Sequence, residues 1–124
     1  MIEKISTHKA PQAIGPYSQA IKFNNMLFTS GQIALDPETM EVVEGDVKVQ
    51  AERVMKNLQA VLEEAGANFD HVIKTTCFLA NMADFVAFNE VYGKYITNAP
   101  ARSCVAVKEL PKNVLCEVEV IAYL

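Results

Sequence analysis

The chain lacks the features that identify membrane, secreted and nucleic-acid-binding proteins. No stretch approaches the ~20 apolar residues of a membrane-spanning helix, and the opening MIEKISTHKA has no apolar secretory segment. Lysine and arginine number 11 against 15 acidic residues, so the net charge is −4. This balance disfavours nucleic acid, for which a basic surface supplies most of the affinity. We therefore expect a cytoplasmic protein with no membrane or nucleic-acid partner.

Several motifs that carry cofactor, metal or nucleophile chemistry are also missing. The sequence contains no phosphate loop, GxGxxG, HExxH or G-x-S-x-G motif, and no His, Cys or Asp cluster at metal-ligand spacing. We expect neither a metal nor a cofactor. The three cysteines, Cys77, Cys104 and Cys116, show no CxxC spacing, and their odd number favours free thiols in a reducing compartment.

What is present is the composition of an ordinary globular domain with two helical segments. The 124 residues, 51% of them hydrophobic, are enough for one domain over residues 1–124. Apolar residues at helical spacing predict a helix over 47–65, with Asp46 as N-cap and Gly66 as a left-handed stop. A second helix is predicted over 82–96, capped by Asn81.

The remaining segments read as strands. The predicted ranges are 1–6, 18–23, 26–33, 72–80, 101–107 and 115–123, with a tight hairpin at Asn24-Asn25. The order β-β-β-α-β-α-β-β indicates an α+β fold with one sheet and both helices on one face.

One face of this sheet is therefore left without helices. Strand alternation assigns Cys116 to the helix side and places Glu117 on the uncovered face. The same alternation predicts that Arg102 and Cys104 also lie on the uncovered face. An apolar face of this kind usually contacts another subunit, so we expect a homo-oligomer. The alternative is a solvated face.

Arg102 and the acidic pair Glu117 and Glu119 are the leading candidates for chemistry. If the last two strands pair antiparallel, Arg102 approaches one of these carboxylates. The interaction could be a structural ion pair, which contributes about 0–1 kcal/mol at a surface. Alternatively, the guanidinium could bind a substrate carboxylate and the acids could transfer protons. Residue spacing alone leaves these alternatives open.

Three smaller features accompany them. Arg102 would favour a thiolate at Cys104, but no histidine is placed to act as its base, so a packed thiol is the simpler interpretation. The turn at Gly15-Pro16 presents Tyr17. Gly31 permits close approach to the backbone or marks a bulge.

Four sequence runs together resemble one family. They are Ala13-Ile14-Gly15-Pro16-Tyr17-Ser18-Gln19, Thr29-Ser30-Gly31-Gln32, Pro100-Ala101-Arg102-Ser103-Cys104-Val105, and Leu110-Pro111-Lys112 followed by Glu117-Val118-Glu119. Over essentially its whole length the chain resembles the Rid family of reactive-intermediate deaminases, also called YjgF proteins, and its archetypal RidA branch above all. One departure is Cys116, where the family usually has an aliphatic residue.

The resemblance implies a fold, an assembly and a reaction. The fold is chorismate-mutase-like, and members form homotrimers with an inner barrel of sheets and sites in the clefts between subunits. The implied reaction is hydrolysis of 2-aminoacrylate, 2-iminopropanoate and 2-iminobutanoate to 2-oxo acids and ammonia, without a cofactor. These imines arise from pyridoxal-phosphate enzymes of amino-acid metabolism.

The resemblance also implies residue roles. Arg102 would bind the substrate carboxylate and Glu117 would orient the attacking water. The other implied substrate-binding positions are Tyr17, Ser30, Gly31, Asn89 and Cys104. Two other functions remain open. The first is a regulatory or chaperone-like trimer that binds small carboxylates without turnover, and the second, which the acidic charge disfavours, is ribonuclease activity with translation inhibition.

Overall fold

A computed structural model describes residues 1–124 and contains one six-stranded sheet and two α-helices. Along the chain the elements are β1 (Ile2–Ile5), β2 (Ala20–Phe23), β3 (Met26–Thr29), α1 (Val47–Glu64), β4 (Val72–Leu79), α2 (Phe85–Tyr95), β5 (Ala101–Ala106) and β6 (Cys116–Tyr123). This order confirms the predicted α+β arrangement. In space the strands run β1-β2-β3-β6-β4-β5.

The ends of α1 follow the predicted capping chemistry. The Asp46 carboxylate accepts a hydrogen bond from the Val49 N–H at 3.0 Å, which satisfies one of the free amides of the first turn. After the helix, Gly66 adopts φ +83°, and the Ala67 N–H donates to the Leu62 carbonyl at 2.8 Å. This left-handed glycine closes α1 as predicted.

The second helix begins later than its apolar pattern predicts. Met82–Asp84 forms a 3₁₀ turn, and α2 starts at Phe85. The Asn81 side chain accepts from the Ala83 N–H at 2.9 Å, so it caps the 3₁₀ turn rather than the α-helix. Both helices pack on one face of the sheet around a cluster of 25 buried residues that includes Leu27, Leu58 and Phe88. Neither helix has the length and apolarity needed to span a membrane.

The connection through α2 decides the place of β5. A strand, a helix and a second strand in succession favour parallel neighbours, and β5 pairs parallel with β4 at the edge of the sheet. The last strand, β6, instead lies between β3 and β4 and is antiparallel to both. The last two strands therefore do not pair with each other, and Arg102 does not face Glu117 or Glu119 across a strand pair.

The side of the sheet predicted for Arg102 is wrong as well. In register, Thr75 lies between Arg102 and the buried Val120, and its hydroxyl is 2.8 Å from the Tyr92 hydroxyl of α2. Arg102 thus lies on the helix side. Strand alternation gave the wrong face because β5 is an edge strand, and the apolar Val105 on its other face is exposed. The positions of the apolar residues therefore did not identify the buried face of β5.

The cysteines share that side too. Cys104 is in register with the buried Cys77, and Cys116, two residues before the buried Val118, is also fully buried. The prediction that Cys104 and Cys116 face opposite ways is therefore wrong. All three thiols are free.

A bulge after β3 brings backbone against β6. Phe28 pairs with Ile121 and Gln32 bridges to Val118, so three residues, 29–31, oppose two on β6. The Thr29 hydroxyl replaces the missing ladder bonds, because it accepts from the Val120 N–H at 2.9 Å and donates to the Val120 carbonyl at 3.3 Å. One side chain therefore maintains the bulge.

Replacing Thr29 by valine should destabilise the fold. The change keeps the side-chain shape but leaves two buried backbone groups of Val120 unpaired, which we expect to lower the free energy of unfolding by about 2 kcal/mol. Urea denaturation measures this. Thr76→Val is the matched control, because Thr76 makes no side-chain hydrogen bond and is only partly buried. Equal losses in the two variants would contradict the role given to the Thr29 hydroxyl.

Candidate functional site

One cleft of the protomer lies where the loop before β2, the bulge after β3 and strand β6 meet. Its volume is about 500 Å³, within the range that holds small molecules. Four of the predicted site residues line it, namely Tyr17, Ser30, Gly31 and Glu117. Glu119 lines it as well.

Glu117 is a cleft carboxyl whose pKa the surroundings shift. Its side chain is partly buried on the face without helices, in register with Phe78 of β4. Burial raises the pKa of the Glu117 carboxyl, and the negative charge of Glu119 raises it further. A carboxyl whose pKa is raised towards neutrality is suited to accept and return a proton.

Gly31 is the residue against which that carboxyl rests. A Cβ atom added at Gly31 would lie 2.8 Å from the Glu117 carboxyl carbon and 3.0 Å from its Cγ, and would collide with Oε2. The backbone of Gly31 does not have a positive φ, so space rather than conformation excludes a side chain there. The predicted close approach is thus made by the Glu117 carboxyl itself, inside the bulge.

Tyr17 and Ser30 frame the same cleft. Tyr17 is 51% exposed, and its N–H donates to the Gly15 carbonyl at 2.9 Å in the predicted turn. The Ser30 hydroxyl donates to the Ser18 carbonyl at 2.6 Å, so it ties the loop to the bulge. Its oxygen can still accept a hydrogen bond from a ligand.

A second cluster lies at the sheet edge on the helix side. The Arg102 Nη1 donates to Asn89 Oδ1 at 2.7 Å, and the guanidinium carbon is 4.7 Å from the Tyr92 ring centroid and 5.5 Å from that of Phe85. These cation–π contacts and the amide hold the planar group in place. The other guanidinium N–H groups remain free to bind an anion.

Cys104 joins this second cluster without the properties of a nucleophile. Burial raises the pKa of the Cys104 thiol, although the Arg102 charge opposes the shift. Burial also raises the pKa of Cys77 and of Cys116 to about 12 each. All three thiols are therefore protonated near neutrality, which favours the packed-thiol interpretation over a thiolate.

The sheet separates the two clusters within one protomer. Tyr17, Ser30, Gly31 and Glu117 meet in the cleft, whereas Arg102, Asn89 and Cys104 lie together beside α2. The cleft does not include any member of the second cluster. No group of three or more His, Cys, Asp or Glu side chains is arranged to hold a metal ion.

Sequence reasoning did not assign a role to several neighbours of these clusters. Lys112 lines the cleft in a left-handed conformation with φ +55°, and it supplies a cation near the two acids. The Pro111-Lys112-Asn113 turn was the available signal. Phe85 and Tyr92 lie within the second predicted helix, and nothing local indicates that a guanidinium lies against them.

Comparisons with known proteins show what the whole chain is similar to. The sequence model of the family described as endoribonuclease L-PSP matches residues 7–124. A RutC family protein of Pyrococcus abyssi is 54% identical over 122 residues, 98% of this chain and 96% of that protein. Reactive Intermediate Deaminase A, a chloroplastic protein of Arabidopsis thaliana, is 50% identical over 123 residues, 98% of this chain and 66% of its own. The crystal structure of E. coli TdcF with bound serine is 41% identical, with a TM-score of 0.93 and 98% of each chain covered.

Replacing Glu117 by glutamine should stabilise the protein in a pH-dependent way. Because folding raises the pKa of this carboxyl, its ionised form costs stability above the folded-state pKa, and the cost disappears below the unfolded value of about 4.3. We expect Glu117→Gln to have a higher thermal midpoint than the parent at pH 8 and an equal one at pH 4. The exposed Glu38, replaced in the same way, is the control. A lower midpoint at pH 8 for Glu117→Gln alone would refute the expectation.

Proposed function

The chain belongs to the Rid family, also called YjgF and described as endoribonuclease L-PSP, and from this premise we propose that it hydrolyses reactive enamines and imines to 2-oxo acids and ammonia. The proposed substrates are 2-aminoacrylate, 2-iminopropanoate and 2-iminobutanoate, and no cofactor takes part. The family includes a protein named Reactive Intermediate Deaminase A. The proposal places this protein in the cytoplasm, where its three thiols stay reduced.

The observation that carries the proposal is the Glu117 carboxyl pressed against Gly31 in the cleft. Hydrolysis of an iminium requires little more than an oriented water and a group that moves protons, because the carbon is already electrophilic. Glu117 has the raised pKa for that task. The backbone of Gly31 restricts its position, and holding the reacting groups in place supplies much of the rate.

The proposed reaction needs no reactant other than water. The enamine 2-aminoacrylate first takes a proton from solvent at C3, which converts it into the iminium. Water adds to C2 of the iminium and Glu117 takes one of its protons, so a C–O bond forms as the C=N π bond breaks. Glu117 then returns the proton to the nitrogen of the resulting carbinolamine. The C–N bond breaks and ammonia leaves with its electron pair, while the hydroxyl gives its proton to Glu117 and becomes the carbonyl of the 2-oxo acid. The ammonia then takes up that proton and is released as ammonium.

Arg102 is the proposed binding group for the substrate carboxylate. Asn89 accepts a hydrogen bond from one N–H group of Arg102. The rings of Phe85 and Tyr92 fix the plane of the guanidinium. Its unused N–H groups can bind a carboxylate through two parallel hydrogen bonds. In the proposal Asn89 and the Cys104 backbone complete this half of the site.

The proposed assembly is a homotrimer in which two copies complete each site. The separation of Arg102 and Glu117 by the sheet supports this assembly. A substrate as small as 2-iminopropanoate cannot contact both groups of one protomer, because they lie on opposite faces of the sheet. The face without helices also leaves large apolar side chains exposed, among them Phe23, Phe28 and Tyr123. Such a face favours burial against other copies of the chain.

Two other functions compete with hydrolysis. A trimer that only binds small carboxylates is favoured by the serine bound to TdcF, and it would bind 2-oxo acids without turnover. RNA cleavage is favoured by the description of the family. Against it, the cleft contains carboxylates and no histidine, and the ring of His71 packs on Tyr123 with centroids 4.9 Å apart.

A coupled assay with two variants tests the proposal. Threonine dehydratase and threonine generate 2-iminobutanoate, and we expect the parent protein to accelerate 2-oxobutanoate formation. Arg102→Ala and Glu117→Gln should each lose at least about 100-fold in kcat/KM while remaining trimers by light scattering. A parent protein that binds 2-oxobutanoate but does not accelerate the reaction would establish the binding-only function.

Mixing the two inactive variants tests whether the site is shared between copies. Co-expressed Arg102→Ala and Glu117→Gln chains form mixed rings in which one copy supplies the arginine and its neighbour the acid. Random mixing in a cyclic trimer should restore about a quarter of the parent activity. The double variant Arg102→Ala/Glu117→Gln, mixed with either single variant, is the control and should restore none. An inactive mixture would place both groups in the same copy or reject their roles.

Alanine at Gly31 should impair catalysis and leave the fold intact. The added methyl group collides with the Glu117 carboxyl and displaces it, and a misplacement of about 1 Å costs roughly 100-fold in kcat/KM. Gly93→Ala is the matched control, since a Cβ there meets nothing within 4 Å and alanine favours a helix by about 1 kcal/mol. Equal activity in the two variants would show that the position of Glu117 is unimportant.

A further inference from the structure

Gln19 is a buried amide beside the cleft that takes no part in the proposed chemistry. It immediately precedes β2 and is 2% exposed. Its Oε1 accepts from the Thr7 N–H at 2.7 Å. Its Nε2 donates to the Pro11 carbonyl at 2.8 Å and the Thr7 carbonyl at 3.1 Å, with a longer contact to Ala10 at 3.3 Å. One side chain thus binds three residues of the loop between β1 and β2.

This loop has few other bonds to hold it. It contains no helix or strand between Ile5 and Ala20. Within it, the Tyr17 N–H donates to the Gly15 carbonyl and the Lys9 N–H donates to the Thr7 hydroxyl. Ala10 packs in the core, but the hydrogen bonds that tie residues 7–11 to the start of β2 all come from the amide of Gln19.

The same residue also links the loop to the bulge. The Ser30 N–H donates to the Gln19 carbonyl at 2.9 Å, and Ser30 precedes Gly31, against which Glu117 rests. The loop in turn supplies Pro11, Ile14 and Tyr17 to the lining of the cleft. Gln19 thereby joins the bulge beside Glu117 to the apolar wall of the cleft, which is the part formed by Pro11, Ile14 and Tyr17.

We propose that Gln19 is a positioning residue that fixes this apolar wall and so determines which substrate side chains the cleft accepts. The inference rests on the proposed function. The cleft volume of about 500 Å³ exceeds what a three- or four-carbon imine fills, since pockets of this size hold drug-sized ligands. The cleft therefore has room for longer, branched substrate side chains. The apolar wall contacts these side chains rather than the reacting atoms.

The expected kinetic effect separates positioning from general stability. A loosened wall weakens binding of the substrate side chain equally in the ground and transition states, so KM rises while kcat stays unchanged. The effect must also grow with the substrate, because a smaller side chain makes fewer contacts with Pro11 and Ile14. A variant that is merely less stable would not distinguish one substrate from another below its melting temperature.

The test compares Gln19→Met with Gln50→Met. Gln50 is a second buried glutamine, 6% exposed, whose amide binds the Leu115 N–H at 2.8 Å and the Val43 carbonyl at 3.4 Å. Neither of those partners lines the cleft. An amino-acid oxidase supplies 2-iminopropanoate from alanine and 2-imino-4-methylpentanoate from leucine. For Gln19→Met we expect KM for the branched imine to rise about tenfold, KM for the small imine less than about threefold, and kcat to stay within about twofold.

Hydrogen exchange supplies a readout that does not depend on turnover. Amides of residues 7–18 should exchange faster in Gln19→Met and at the parental rate in Gln50→Met. Gln19→Glu serves if the methionine variant does not fold, because it keeps the acceptor for the Thr7 N–H and removes the donor to the carbonyls. An unchanged ratio of the two KM values in the Gln19 variant that folds would overturn the inference.

Failure of the proposed function would be recognised separately. A parent protein that hydrolyses neither imine refutes the hydrolase. The inference about Gln19 is then decided by calorimetric binding of pyruvate and of 4-methyl-2-oxopentanoate. A tenfold loss for the branched acid alone in the Gln19 variant supports it, and equal losses for the two acids reject it.

Discussion

The arrangement of the molecule depends on the pairing of β6 with strands on both of its sides. Phe28 of β3 pairs with Ile121, and Thr76 of β4 pairs with Glu119, so this one strand joins the N-terminal meander to the parallel pair β4–β5. The same strand carries Glu117 to the bulge after β3. A shift of its register by one residue would turn Glu117 towards the helices. The register of the eight residues of β6 therefore determines both the stability of the sheet and the position of Glu117 in the cleft.

Local patterns in the sequence were sufficient for some features of the fold and not for others. Helix α1 with both of its caps, the hairpin at Asn24 and the outward direction of Glu117 depend on residues near one another in the chain, and they agree with the structure. The second helix was predicted as well, but it starts only at Phe85 and Asn81 caps the preceding 3₁₀ turn. Strand order depends on how a connection crosses the sheet, which no periodicity records. The pairing of Arg102 with the acids of β6 does not form for that reason, and the face predicted for Arg102 was wrong because the edge strand β5 leaves Val105 exposed on its other side. The aromatic residues of α2 that contact Arg102, Phe85 and Tyr92, recur at helical spacing, and packing in the core explains that spacing equally well.

The electrostatics of the two clusters are independent within one protomer. An arginine beside Glu117 would lower the pKa of the carboxyl, whereas burial and Glu119 raise it. On the other face, the guanidinium of Arg102 is stabilised by aromatic rings and an amide rather than by an acid. Neither charge neutralises the other, so each group keeps its own binding capacity. In the proposed trimer Arg102 of one copy comes near Glu117 of another only when the copies assemble. The pKa of Glu117 then depends on the assembly as well as on its own protomer.

The central position of β6 also has a consequence for biosynthesis. Every other strand of the sheet leaves the ribosome before it, so the nascent chain holds β3 and β4 with one free edge each until residues 116–123 emerge. Unpaired edges of this kind recruit strands from other chains. The growing polypeptide is therefore most exposed to misassembly late in translation, and a ribosome that stalls shortly before Cys116 would release a chain whose two half-sheets no strand joins.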